Sequence, residues 1–219
     1  MIPTVVSYYT KNTPYEAEVK HLIASCEKFG IPYEIAGIPN LGSWEKNCCF
    51  KPQFILEKME KINGPLLWVD ADGVFVRWPK QLETLVADVG LCIIEELPDE
   101  HPCKMITGTV FFNNTKKGKE VLNIWLEACQ NPEDEEFPDQ VALKDILLKS
   151  DADIFNLSTP YFTTHDLVVK EEWAKDAVIV HFQASRTLKK VLNNEIIPFW
   201  DNEKITTEKK KILETCFPQ

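Results

Sequence analysis

The chain has 219 residues, 24 basic and 34 acidic side chains, and a formal net charge of −10. That length suits one domain with a sizeable core, and the acidic balance argues against broad binding to nucleic acid or to an anionic membrane. No apolar run is long enough to span a bilayer. Met1-Ile2-Pro3 lacks the basic and apolar regions of a signal peptide, and the seven scattered cysteines form no CxxC pair. The expectation is a cytoplasmic protein with reduced thiols, neither zinc-bound nor disulfide-framed.

One domain is expected over 1–219, with a core at about 4–190 and a C-terminal extension at about 191–219. Thr4 to Tyr9 is β-branched and aromatic and predicts a first strand, followed by a polar loop over Thr10 to Pro14. Thr13, Pro14 and Glu16 have the spacing of a capped helix start. That helix runs to Phe29, with Val19, Leu22, Ile23 and Cys26 on one face and Gly30 as its stop. Tyr33 to Ile38 predicts a second strand and Pro39 to Asn47 a loop. Lys51-Pro52 opens a second helix, with Phe54, Ile55, Lys58 and Ile62 at helical spacing, which Asn63-Gly64 ends. After the central strand, Trp78-Pro79 starts a third helix to about Ala87, and Val89 to Glu95 is a strand. Glu95 to Lys104 is an acidic loop with two prolines. Ile106 to Asn114 is a strand interrupted by Gly108, and a glycine in a strand marks close approach of backbone or ligand. Lys116 to Cys129 is an amphipathic helix, Asn131 to Pro138 an acidic loop, and Asp139 the N-cap of another helix. Asp153 to Leu157, Tyr161-Phe162 and Ala177 to Phe182 read as strands, and Thr206 to Cys216 as a surface helix. Strands alternating with helices argue for an α/β protein, its mostly parallel central sheet flanked by helices.

The stretch from Pro65 to Val76 organises this frame. Leu66-Leu67-Trp68-Val69 is a short apolar run bounded by a turn, and it leads directly into Asp70-Ala71-Asp72-Gly73. Two unpaired carboxylates are too costly inside a buried strand, so both belong at its open end, the edge where α/β sheets bind ligands. Residues two apart in an extended chain point the same way, so both carboxylates can address one hard divalent cation. A polar turn at a strand end is the plainer reading of the same residues.

Taken together, these motifs resemble glycosyltransferases of the GT-A fold, of the glycogenin-like nucleotide-diphospho-sugar transferase type, over roughly residues 4–190. Asp70-Ala71-Asp72 resembles the DxD motif of that fold. The resemblance implies a Rossmann-like sheet and a divalent ion, Mn2+ or Mg2+, held by Asp70 and Asp72 on the diphosphate of a nucleotide sugar. His181 is similar to the late histidine that completes the metal site. Asp139-Gln140 resembles the catalytic DQ pair beside the donor sugar, and Gly108 and Thr109 lie on a strand similar to the one behind that sugar. Tyr9 and Thr10 would border the base, Ala71 would line the donor site, and Lys51 would face the ribose or phosphate. Arg186 or Lys189 would grip the departing diphosphate. The implied reaction moves a sugar from a UDP-sugar to an acceptor hydroxyl on a glycan, a lipid-linked sugar or a protein. The DQ pair and the late histidine favour retention of configuration, while Glu95 or Glu96 as a base would give inversion.

Each residue also has a plainer role. Lys51 suits a solvated helix end, Asp139 a cap, His181 a structural histidine, and Arg186 with Lys189 and Lys190 a basic surface turn. Glu95-Glu96 and Glu133 to Glu136 suit solvated loops, and Trp44, Trp173 and Trp200 suit either core packing or stacking on sugar rings. Val69 to Val74 also resembles the first motif of haloacid-dehalogenase-like phosphatases, with Asp70 as nucleophile and Asp72 as general acid. Against that, two strand-helix units precede the motif, and no later GDxxxD-like pair follows. A non-catalytic sugar- or nucleotide-binding protein on the same fold is the third reading.

Overall fold

The structure is a computed structural model that describes residues 1–132, 136, 138–165, 175–185, 188–189, 193, 210–211 and 214. Arg186, Trp173, Trp200, most of Glu133 to Glu136 and most of the expected helix over Thr206 to Cys216 lie outside the described residues. Among the described residues no helix is long and apolar enough to cross a membrane.

The elements in chain order are β1 (Thr4–Thr10), α1 (Tyr15–Phe29), β2 (Tyr33–Ile38), α2 (Trp44–Cys49), α3 (Lys51–Met59), β3 (Leu66–Val69) and β4 (Gly73–Phe75). Then come β5 (Val89–Ile93), β6 (Met105–Phe112), α4 (Lys116–Ala128), α5 (Pro138–Leu147), β7 (Ile154–Asn156), β8 (Thr163–Thr164) and β9 (Ile179–His181). Six strands form the central sheet in the order β2-β1-β3-β6-β5-β7. The pairs β1 with β2, β1 with β3, and β5 with β7 are parallel. Strand β6 runs against both of its neighbours. The sheet is therefore mostly parallel, as expected, with one reversed strand. A second sheet, β4-β9-β8, stands apart from it.

Side chains alternate across the central sheet, so each strand feeds two cores. Val6, Tyr8, Leu66, Trp68, Val110 and Phe112 face α3, α4 and α5, where Phe54, Ile55, Leu122, Trp125 and Leu143 meet them. Val5, Leu67, Val69 and Phe111 face the other way and pack against Leu22 and Cys26 of α1. Burial on both faces explains why these strands read as continuous apolar runs.

Several local expectations need correction. The loop read over Pro39 to Asn47 contains α2, which Ser43 caps by accepting from the Lys46 amide at 3.2 Å. Helix α3 stops at Met59, short of Asn63-Gly64. The helix expected from Trp78 to Ala87 is one 3-10 turn, Lys80–Glu83, anchored by the buried Leu82. Tyr161 belongs to a second 3-10 turn, Thr159–Tyr161, and the strand follows it at Thr163–Thr164. Helix α1 starts one residue later than expected, at Tyr15, with Pro14 and not Thr13 at the cap position. Thr13 Oγ1 accepts from the Tyr15 amide, and Glu16 Oε1 accepts from the Asn12 amide. Gly30 ends that helix at φ +65°, a left-handed conformation that favours glycine.

Candidate active site

The strand directions bring three chain ends to one edge. Parallel pairing sets the end of β1, Tyr8 to Thr10, beside the end of β3. Because β6 is reversed, its beginning lies there too, with Val69 paired to Thr109 and the Asp70 amide donating to the Gly108 carbonyl at 2.9 Å. A cavity of about 260 Å³ opens at this edge, and Tyr8, Tyr15, Trp44 and Trp68 give it aromatic walls.

Asp70 and Asp72 are not on extended chain. The Gly73 amide donates to the Asp70 carbonyl at 2.8 Å, closing a tight turn between β3 and β4. The turn, not strand alternation, brings the two carboxylates together. It also feeds β4, whose Gly73 pairs with His181 of β9. The carboxylate oxygens of Asp70 and Asp72 and a ring nitrogen of His181 lie within 4.8 Å of one another. Both Asp72 and His181 are buried.

Each of the three side chains is held from behind. Asp70 Oδ1 accepts from Trp68 Nε1 at 2.7 Å and is ion-paired with the Lys51 ammonium at 3.2 Å, yet 40 % of the Asp70 side chain is exposed. Asp72 Oδ2 accepts from the Ala184 amide at 2.7 Å. The Thr109 hydroxyl sits 2.9 Å from His181 Nε2, leaving Nδ1 on the Asp72 side, 3.5 Å from Oδ1. The ring of Phe162 packs on the imidazole at 4.5 Å between centroids. Burial pushes the Asp70 carboxyl above the usual carboxylate range, and the Asp72 charge adds to that against the pull of Lys51.

Lys51 and Asp139 occupy positions that the sequence does not announce. Lys51 is not a solvated helix end; it is buried and is one of the residues that line the cavity. Its ammonium donates to Asp139 Oδ2 at 2.7 Å and to the Thr107 carbonyl at 3.3 Å. Burial alone would lower its pKa, but Asp139 and Asp70 outweigh that and hold it above the ordinary lysine range. Asp139 is inside the first turn of α5, not its cap, and Thr107 Oγ1 also donates to it at 3.2 Å. Gln140 spans the site: its oxygen accepts from the Thr107 amide at 3.3 Å and its nitrogen donates to the Pro102 carbonyl at 2.9 Å. That second bond ties the acidic loop Glu95 to Lys104 to the cavity wall.

The remaining expected residues divide. Tyr9, Thr10, Ala71 and Gly108 line the cavity. Lys189 lies 4.5 Å over the Trp44 ring and 2.9 Å from Glu45, on the α2 side. Gln183, which the sequence reading missed, also lines the cavity. Its only sequence cue is its place two residues after His181.

Gly108 is glycine because of a close approach. A Cβ there would overlap the Phe162 ring and lie 3.3 Å from His181 Cε1. Gly108→Ala is expected to destabilise the fold by about 1–3 kcal/mol, the usual cost of overpacking. Phe162→Leu in the same chain should restore part of that loss. Thermal melts of the single and double variants check this, and an unchanged melting temperature for Gly108→Ala would contradict it.

No protein-family model matches the chain, and no curated protein sequence matches it. Among solved structures it is similar to a glycosyltransferase involved in the glycosylation of the major capsid of PBCV-1. The identity is 14 %, the TM-score is 0.66, and the match covers 96 % of this chain and 100 % of that one. At that identity the likeness establishes a shared fold. The chain is thus an α/β protein that shares its fold with that glycosyltransferase, and it carries an Asp-Asp-His cluster at the sheet edge where the cavity opens.

Proposed function

We propose that this protein is a metal-dependent glycosyltransferase of the GT-A type. It moves a sugar from a nucleotide sugar, a UDP-sugar, to an acceptor hydroxyl with retention of configuration. The observation that carries the reading is the convergence of Asp70, Asp72 and His181 beside a cavity on a glycosyltransferase-type fold. Two carboxylate oxygens and one imidazole nitrogen suit Mn2+ or Mg2+. The donor set fits, since Asp70 and Asp72 repel one another and a divalent cation would turn that repulsion into attraction. When bound, such a cation neutralises charge developing on the departing diphosphate.

The protein's own groups then have separate tasks. Thr109 orients His181, and the Ala184 amide fixes Asp72. Tyr9 and Thr10 border the base. Asp139 and Gln140 form the floor beneath the donor sugar, held there by Lys51 and Thr107. In this reading Lys51 faces the ribose or phosphate from the cavity wall and also positions Asp139. Arg186 or Lys189 would grip the departing diphosphate. Retention follows from attack on the face the diphosphate leaves, which asks the protein chiefly for positioning.

The test is nucleotide release from a panel of UDP-sugars with Mn2+ present, with and without a chelator. Release that stops on chelation is expected. No release from any nucleotide sugar, together with phosphate-ester hydrolysis lost in Asp70→Asn, would replace this reading by the phosphatase one.

A further inference from the structure

We propose that Gln183 is a donor-recognition residue whose side-chain oxygen accepts a hydrogen bond from a hydroxyl of the bound nucleotide sugar. The proposal rests on the glycosyltransferase reading above. After β9 the chain wraps around Asp72: the Phe182 amide donates to the Asp72 carbonyl at 3.2 Å, and the Ala184 amide donates to Asp72 Oδ2 at 2.7 Å. Gln183 lies between these two donors at φ +49°, in the left-handed region. That turn holds a metal-type ligand in place, so its geometry has a purpose.

The geometry does not explain the glutamine. Glycine would adopt this conformation without cost, and asparagine more readily than a longer side chain. A strained residue at a site edge points to a task for its side chain. Gln183 is one of the residues that line the cavity, along with Asp70, Asp72, His181 and Gly108. Its Oε1 is buried and, among the described residues, has no hydrogen-bond partner. A buried acceptor without a donor is costly, and native proteins rarely leave one unmet. Phosphate oxygens cannot meet it, because they too are acceptors. Hydroxyl groups can, and a nucleotide sugar carries them on its ribose and on its transferable sugar.

The experiment is calorimetric titration of wild type, Gln183→Gly and Gln183→Asn with UDP and with UDP-glucose, UDP-galactose and UDP-N-acetylglucosamine, all with Mn2+ present. Gln183→Gly keeps the turn, relieves its strain and removes the side chain. Its melting temperature should equal or exceed that of wild type. Gln183→Asn keeps an amide too short to reach and reports the same loss in a chain that also tolerates the turn. Binding of the accepted UDP-sugar should weaken about tenfold in both variants, as for one lost hydrogen bond. A matching loss for UDP assigns the hydroxyl to the ribose; a loss confined to the UDP-sugar assigns it to the transferable sugar. Affinities equal to wild type for every ligand would overturn the proposal while leaving the glycosyltransferase reading in place. If wild type binds none of these ligands, that reading fails and the proposal fails with it.

Discussion

Asp72→Asn is expected to lower sugar transfer by at least about 100-fold and to weaken Mn2+ binding in step, while the fold persists. The carboxylate has two tasks that the substitution separates. Its Oδ2 accepts the Ala184 amide at 2.7 Å, and an asparagine oxygen serves there equally well. The other oxygen belongs to the Asp-Asp-His cluster, and an amide nitrogen in its place offers a cation no lone pair. Neutralising charge at a leaving group is worth several kcal/mol, and each 1.36 kcal/mol is about tenfold in rate. Stability should change by less than about 1 kcal/mol, roughly 3 °C in melting temperature for a chain of this size. Steady-state turnover at saturating Mn2+, with a melt of the same sample, checks both halves. Most of the wild-type turnover surviving in the variant would refute the role given to Asp72.

Lys51→Met has the opposite signature, because it strikes the fold first. Only about 5 % of the Lys51 side chain and 6 % of the Asp139 side chain are exposed, and their charges are 2.7 Å apart. Removing one partner leaves the other charge buried and uncompensated, a loss of about 3–5 kcal/mol. That corresponds to a fall of roughly 6–20 °C in melting temperature. The double variant Lys51→Met with Asp139→Leu removes both charges and should recover much of the stability, but not transfer. The pH dependence has a definite sign. Lys51 titrates above the unfolded value of 10.5, so its contribution is complete below that pH and is lost as pH rises beyond it. The gap between wild type and Lys51→Met should therefore hold from pH 6 to pH 9 and narrow only in strong alkali. A gap that closed near neutrality, or a single variant as stable as wild type, would contradict a charged pair at this place.

What the sequence discloses follows physical range. Strands β1, β3 and β6 and helix α1 are legible because burial on both sheet faces, or on one helix face, writes a local pattern. Helix α2 is not: Trp44 to Cys49 is short, and only the Ser43 cap marks it. The reversal of β6 is invisible, since alternation along a strand is the same in both directions. Yet that reversal places Thr107 to Thr109 at the site. Asp70 and Asp72 were readable as a pair, but the turn that aims them is set by pairing with β9, more than a hundred residues on. The Lys51–Asp139 pair spans 88 positions, and neither residue's neighbourhood hints at the other.

A cation-dependent nucleotide site is tested first by the melting temperature of the purified protein with UDP, with Mn2+, and with both. A ligand at about 100 times its dissociation constant stabilises the folded state by about 2.7 kcal/mol, roughly 5–10 °C here. A shift of that size is expected only with both ligands together, and it should disappear in Asp72→Asn. No shift with any combination, or a full shift with UDP alone that survives in Asp72→Asn, would contradict a cation-dependent nucleotide-sugar site at Asp70, Asp72 and His181.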